Sequence, residues 1–111
     1  MQFKHSIEPA SAPFKKLLMV LECLDAYSQA VGCGEIVITS LYRPDDLDSY
    51  HSKFQAADIR INDKPSWWIM AVELIMTAFK QCDDTIQLDR HLELRNTVSE
   101  HLHIEIDTGD L

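Results

Sequence analysis

The sequence predicts an α+β fold: a small antiparallel or mixed sheet of about four strands packed on two helices, in the order α-β-β-α-β-β. Three observations carry this. Apolar residues recur at three- and four-residue intervals in two long segments, which is the helical period. Four short segments are β-branched or alternate strictly between apolar and polar residues, which is the period of a half-buried strand. At 111 residues the chain suits one domain, 1–111, long enough to bury a core without disulfide staples.

Residues 1–12 read as irregular, with Pro9 and Pro13 as breakers. Ser11 is placed to cap a helix that starts near Pro13, a residue tolerated in the first turn. Phe14, Leu17, Leu18, Leu21 and Leu24 form its apolar face, and Gly32 and Gly34 stop it after about Val31. Ile36-Val37-Ile38-Thr39 reads as a strand, and the polar stretch 40–54 as a loop. In 56–62, Ala57, Ile59 and Ile61 share one face, while Ala56, Asp58, Arg60 and Asn62 share the other. Pro65 opens a second helix to about Lys80, with Asn62 or Asp63 as capping candidates. It is apolar nearly all round, so it is either the central buried helix or part of a subunit contact. Trp67 and Trp68 read as core. Thr85 to Leu94 alternates again, and Leu102, Ile104 and Ile106 alternate against His101, His103, Glu105 and Asp107.

Charge excludes some partners. Ten Lys plus Arg against eighteen Asp plus Glu give a net −8, which argues against nucleic acid and against adsorption to anionic membranes. No apolar run approaches the ~18 residues of a membrane span, so no membrane insertion is expected. The stretch Leu17–Leu21 is interrupted by Glu22 and Asp25 and reads as helix rather than signal peptide. Cys23, Cys33 and Cys82 are odd in number and form no CxxC pair, which reads as buried free thiols in a reducing compartment. Asp45, Asp46 and Asp48 lack the spacing of a calcium loop.

Two segments carry chemistry-bearing residues: Ser49-Tyr50-His51-Ser52-Lys53-Phe54-Gln55-Ala56-Ala57-Asp58-Ile59 and Glu100-His101-Leu102-His103-Ile104-Glu105-Ile106. If the strands holding Asp58 and His103 lie in one sheet, both residues project from its polar side, and His51 in the preceding loop can fold towards them. Two imidazoles and a carboxylate are the ligand set of an open zinc site.

The spacing resembles the zinc peptidase superfamily of D-Ala-D-Ala carboxypeptidases and phage L-alanoyl-D-glutamate endopeptidases, whose fold the hedgehog signalling domain shares. Ser49, His51, Ala56 and Asp58 fit the first motif, S-x-H-x-x-G-x-A-x-D. Glu100 and His103 fit the second, an acidic residue three before a His, with His101 completing an H-x-H. Ser40-Leu41-Tyr42-Arg43-Pro44 resembles the S-x-x-R-P turn. The resemblance spans about residues 36–107. Phe54 stands at the motif's glycine position, so the loop must turn by another backbone route.

The resemblance implies His51, Asp58 and His103 as Zn2+ ligands. It implies Glu100 as general base towards the attacking water and then as acid towards the leaving amine. Arg43 would hold the scissile carbonyl oxygen as negative charge develops. His101 is either a cleft residue or an exposed strand residue, and Ser49 is a candidate for orienting substrate or a ligand. The function expected is cleavage of peptidoglycan stem peptides by a phage- or prophage-type lysin. Such a protein would sit in the bacterial host cytoplasm before lysis or be carried in the virion. The alternatives are a non-catalytic virion or structural protein on the same fold, and a metal-dependent amidase on another substrate.

Overall fold

The computed structural model describes residues 1–3, 11–41, 50, 55–91 and 101–109. In chain order the elements are β1 (Gln2–Phe3), α1 (Ala12–Ala30), β2 (Val37–Ser40), β3 (Ala56–Arg60), α2 (Ser66–Cys82), β4 (Ile86–His91) and β5 (His101–Ile106). The class is α+β, as expected, but among the described residues the sheet has five strands rather than four, ordered β1-β2-β3-β5-β4. The added strand is β1. It pairs parallel to β2, Gln2 with Val37 and Phe3 with Ile38, and all other pairs are antiparallel. Two residues are too few to show any alternation, so the start of the chain reads as irregular.

Both ends of α1 follow local chemistry. The Ser11 hydroxyl accepts the Phe14 amide at 3.2 Å, and Pro13 sits in the first turn, where its missing N–H costs nothing. At the other end Gly32 adopts φ +82°, a left-handed conformation that favours glycine. The Gly32 amide then donates to Gln29 O (3.1 Å) and the Cys33 amide to Ser28 O (2.9 Å), the paired bonds of a Schellman stop.

One hydrophobic cluster joins the helices to one face of the sheet. It holds Phe14, Leu17, Leu21 and Leu24 from α1 and Trp68, Val72 and Met76 from α2. From the sheet it takes Ala57, Ile59, Leu102, Ile104 and Ile106. Trp68 is fully buried and its indole N–H donates to the buried Ser28 hydroxyl of α1 at 3.1 Å, so the polar atom taken into the core is satisfied. Lys64 lies over the Trp68 ring, 5.6 Å from its centroid, and donates to Cys33 O at 2.9 Å.

Several expectations need correction. Among the described residues no side chain caps α2: Pro65 occupies the cap position, so neither Asn62 nor Asp63 plays that part. Nor is α2 a central helix. It buries Trp68, Ile69, Val72 and Met76, but Trp67, Met70 and Leu74 are 51%, 63% and 72% exposed. A two-layer molecule has solvent behind each helix, so one stripe of an all-round apolar helix must face outward. The thiols are not buried either: Cys23 and Cys82 are exposed and Cys33 is half-buried. The strand expected over 85–94 is present as β4 to His91; residues 92–94 lie outside the described residues. Among the described residues, no helix is long and apolar enough to cross a membrane.

Candidate functional site

The side of the sheet away from the helices is set by register. In the β3–β5 ladder Asp58 lies opposite His103, Ala56 opposite Glu105 and Arg60 opposite His101. Because strand side chains alternate, placing Leu102, Ile104 and Ile106 in the core forces His101, His103 and Glu105 to the other side. Ser40 at the end of β2 is the cross-strand partner of Asp58 on its other flank. Asp89 and His91 of β4 sit opposite His103 and His101.

Asp58 is 3% exposed. The sequence pattern describes β3 as half-buried, yet Ala56 is also fully buried. β3 is the middle strand of five, flanked by β2 and β5, and that placement is not encoded in its own five residues. A buried carboxylate needs partners. Its Oδ1 is 2.9 Å from Nδ1 of His103 and 3.7 Å from Nε2 of His101. The second ring nitrogen of His103, Nε2, is 2.9 Å from Oε1 of Glu105. One imidazole is thus held edge-on between two carboxylates. Burial of His103 works against its charged form, but the hydrogen bonds and charges of Asp58 and Glu105 outweigh it, and its pKa rises above the ordinary histidine value.

Of the residues the sequence singles out, Asp58, His101 and His103 are near neighbours on this side of the sheet. Asp58, His103 and His101 converge on one oxygen. His51, Glu100, Arg43 and Ser49, together with Phe54, lie outside the described residues. Leu41 follows Ser40, the cross-strand partner of Asp58. Gln55 extends the β3–β5 ladder, receiving the Ile106 amide on its carbonyl at 2.7 Å, and its own amide donates to Tyr50 O at 2.9 Å. The Tyr50 hydroxyl donates to Asp107 at 2.6 Å and receives the Gly109 amide at 3.0 Å, which anchors that corner beyond the end of β5.

Glu105 is the site residue that motif reasoning passes over. Its signal is nonetheless present in the sequence: it stands two residues after His103, so in a strand it shares that face. Among the described residues, no group of three or more His, Cys, Asp or Glu side chains is arranged to hold a metal ion. Asp58 and His103 nonetheless fit two-thirds of a ligand set. Ligand atoms each ~2.0–2.2 Å from a tetrahedral zinc stand about 3.3–3.5 Å apart, so the 2.9 Å contact would open by roughly half an ångström. Glu105 on Nε2 matches the carboxylate that a metal-bound histidine characteristically engages with its other nitrogen. Comparison with protein-family models, with characterised proteins and with solved structures finds no match.

Proposed function

We propose that this chain is a zinc-dependent peptidase acting on peptidoglycan stem peptides, as a carboxypeptidase or endopeptidase of the phage lysin type. The observation that carries the reading is the Asp58–His103–Glu105 array. A carboxylate oxygen and an imidazole nitrogen face one another at 2.9 Å, with a second carboxylate on the far ring nitrogen. In this reading Asp58 Oδ1 and His103 Nδ1 are two ligands and His51, covalently next to Tyr50, is the third. Glu105 accepts the Nε2–H of His103 and so leaves Nδ1 its lone pair. Zinc held there would supply Lewis acidity to a peptide carbonyl and acidify bound water.

The remaining work falls to the chain's own residues. Glu100 takes the proton of the attacking water and passes it to the leaving amine. Arg43, permanently charged and fork-shaped, holds the carbonyl oxygen as charge builds on it. Ser49 and His101 border the substrate cleft. Before it reaches the wall, such a protein sits in the bacterial host cytoplasm until lysis or is carried in the virion. The motif spacing over 36–107 and the shared polar side of β3 and β5 support this reading.

A second reading has its own observation. A protonated His103 between two carboxylates is a complete ion-pair network without any metal, as expected of a non-catalytic virion or structural protein on the same fold. Metal analysis and turnover on a stem peptide separate the two. The peptidase reading expects about one zinc per chain, lost for the most part in His103→Ala. Full zinc retention in His103→Ala overturns the ligand assignment. Zinc-loaded wild type that cleaves no wall peptide hands the chain to the second reading.

A further inference from the structure

One cation on the polar side of the sheet stands outside the network around Asp58. Arg60 follows Asp58 by two residues in β3, so it shares that face one strand repeat away, about 7 Å. Its cross-strand neighbour in β5 is His101, whose Nε2 lies 3.7 Å from Oδ1 of Asp58. Arg60 is half-buried, whereas Lys15 and Lys80 stand exposed on the helices. The half-buried lysines are paired: Lys16 with Asp83 and Thr85, Lys64 with the Cys33 carbonyl. Among the described residues the Arg60 side chain has no hydrogen-bond or ion-pair partner. Carboxylates are not scarce, since the chain carries eighteen against ten basic residues. Those on its own face, Asp58 and Glu105, are engaged by His103. A partly desolvated guanidinium is permanently charged and presents a planar fork of donors that matches a carboxylate.

The polar side therefore changes sign along β3 and β5. Glu105 marks one end, Asp58 and His103 the middle, and Arg60 with His101 the other end. An extended peptide advances about 3.4 Å per residue, so one lying along these strands with a carbonyl at Asp58 and His103 brings a group about two residues away to Arg60. Resting on the peptidase reading, we propose that Arg60 anchors the substrate: its guanidinium takes a free carboxylate of the stem peptide, about two residues from the bond that is cut. That carboxylate is either the C-terminus of the peptide or the free carboxylate of a γ-linked glutamyl residue, and both offer the fork the same pair of oxygens. The role differs from that of Arg43. The group on Arg60 carries the same charge before and during the reaction, so the contact is uniform binding and enters KM rather than kcat.

Titration of the zinc-free full chain with a lysine-containing stem tetrapeptide, followed by amide NMR shifts, tests the anchor without turnover. The peptide is used with both carboxylates free, amidated at its C-terminus, or amidated at its glutamyl carboxylate. Wild type should bind one of the amidated forms about 10–100-fold more weakly than the free acid, the scale of a charge-assisted pair, and that form identifies the carboxylate. Arg60→Gln should bind that form and the free acid alike. Arg60→Lys keeps the charge without the fork and should fall between the two. On zinc-loaded protein Arg60→Gln should raise KM for the free acid by the same factor, with a far smaller change in kcat. Far-UV circular dichroism checks that both variants fold. Equal affinity of wild type for all the forms overturns the proposal, as does a preference for the acid that survives Arg60→Gln. Wild type that cleaves the peptide without preferring the acid overturns the anchor and leaves the peptidase reading standing. Wild type that cleaves nothing, yet prefers the acid through Arg60, removes the peptidase reading and keeps the carboxylate site.

Discussion

β5 faces two environments with alternate residues. Leu102, Ile104 and Ile106 are fully buried against the helices, whereas His101, His103 and Glu105 look to the other side and keep some contact with solvent. The apolar side is closed by volume: removing atoms leaves a hole. The polar side is closed by pairing, with each nitrogen of His103 matched to a carboxylate oxygen. The first kind of closure fixes the fold and tolerates little. The second sets Oδ1 of Asp58 and Nδ1 of His103 facing one another at 2.9 Å. Six consecutive residues thus separate a side closed by packing from a side closed by pairing.

The largest effects on stability belong to the apolar side. Ile104 pairs across the sheet with Ala57 and Leu88, and Ile104→Ala should destabilise by about 2–5 kcal/mol in denaturant unfolding. His101→Ala, one strand position from Leu102 but on the other side, should change stability by about 1 kcal/mol or less. Similar losses from the two changes would mean that the polar side also carries the fold.

If the proposed peptidase reading holds, the next largest effects fall on Glu100 and Arg43. Glu100→Ala should keep zinc and lower stem-peptide turnover by at least ~100-fold, the scale of general acid–base catalysis. Arg43→Lys should leave zinc content unchanged and lower turnover by roughly 10²–10³, the loss expected for one oxyanion donor. Loss of zinc in Glu100→Ala would make Glu100 a ligand. Undiminished turnover in Arg43→Lys would remove Arg43 from the site.

Glu105→Ala sharpens the comparison within the polar side. If Glu105 orients His103 towards a metal, its loss should weaken zinc affinity by about 10–100-fold while the β3–β5 ladder persists. Competition with a chromophoric chelator measures this directly. Unchanged affinity would leave Glu105 as an ion-pair partner only.

How far the sequence discloses these features depends on whether their cause is local. α1 is legible at both ends because Ser11 and Gly32 act through their own neighbours in the chain. β5 is legible because six residues of strict alternation admit one reading. β1 is not, since two residues carry no period and the strand exists only because β2 offers an edge. The double burial of β3 escapes for a related reason: Ala56 and Asp58 are covered by what the middle of a sheet brings to them. For α2, hydrophobicity all round does not say which stripe faces the core, and the depth of the domain decides it. At the site, the shared side of Asp58 and His103 is readable once both strands are placed in one sheet. Glu105 stands inside the second segment and on the face of His103, but the motif ends at His103 and so gives it no role.

The smallest expected effect concerns a carboxylate on the helix side that is paired without being enclosed. Asp83, following α2, accepts from Lys16 of α1 at 2.7 Å and from the amide and hydroxyl of Thr85 at 3.0 and 2.6 Å. The Lys16 ammonium first, and then the two Thr85 donors, lower its pKa from 3.8 to about 2. A depressed carboxylate stabilises the fold above its unfolded pKa and loses that contribution as pH falls through the folded value. The window is therefore from about pH 4 down to about pH 2. Asp83 and Lys16 are each about one-third exposed, so solvent and salt weaken the pair, unlike the enclosed Asp58. Asp83→Asn should flatten the fall in thermal midpoint between pH 4 and pH 2, leave the midpoint at pH 7 slightly lowered, and leave zinc content unchanged. Thermal scans across that range at low salt show the difference. A variant with the same acid limb as wild type would mean that the unfolding equilibrium does not feel this pair. A variant that lost zinc would couple the two sides of the sheet that β5 keeps apart.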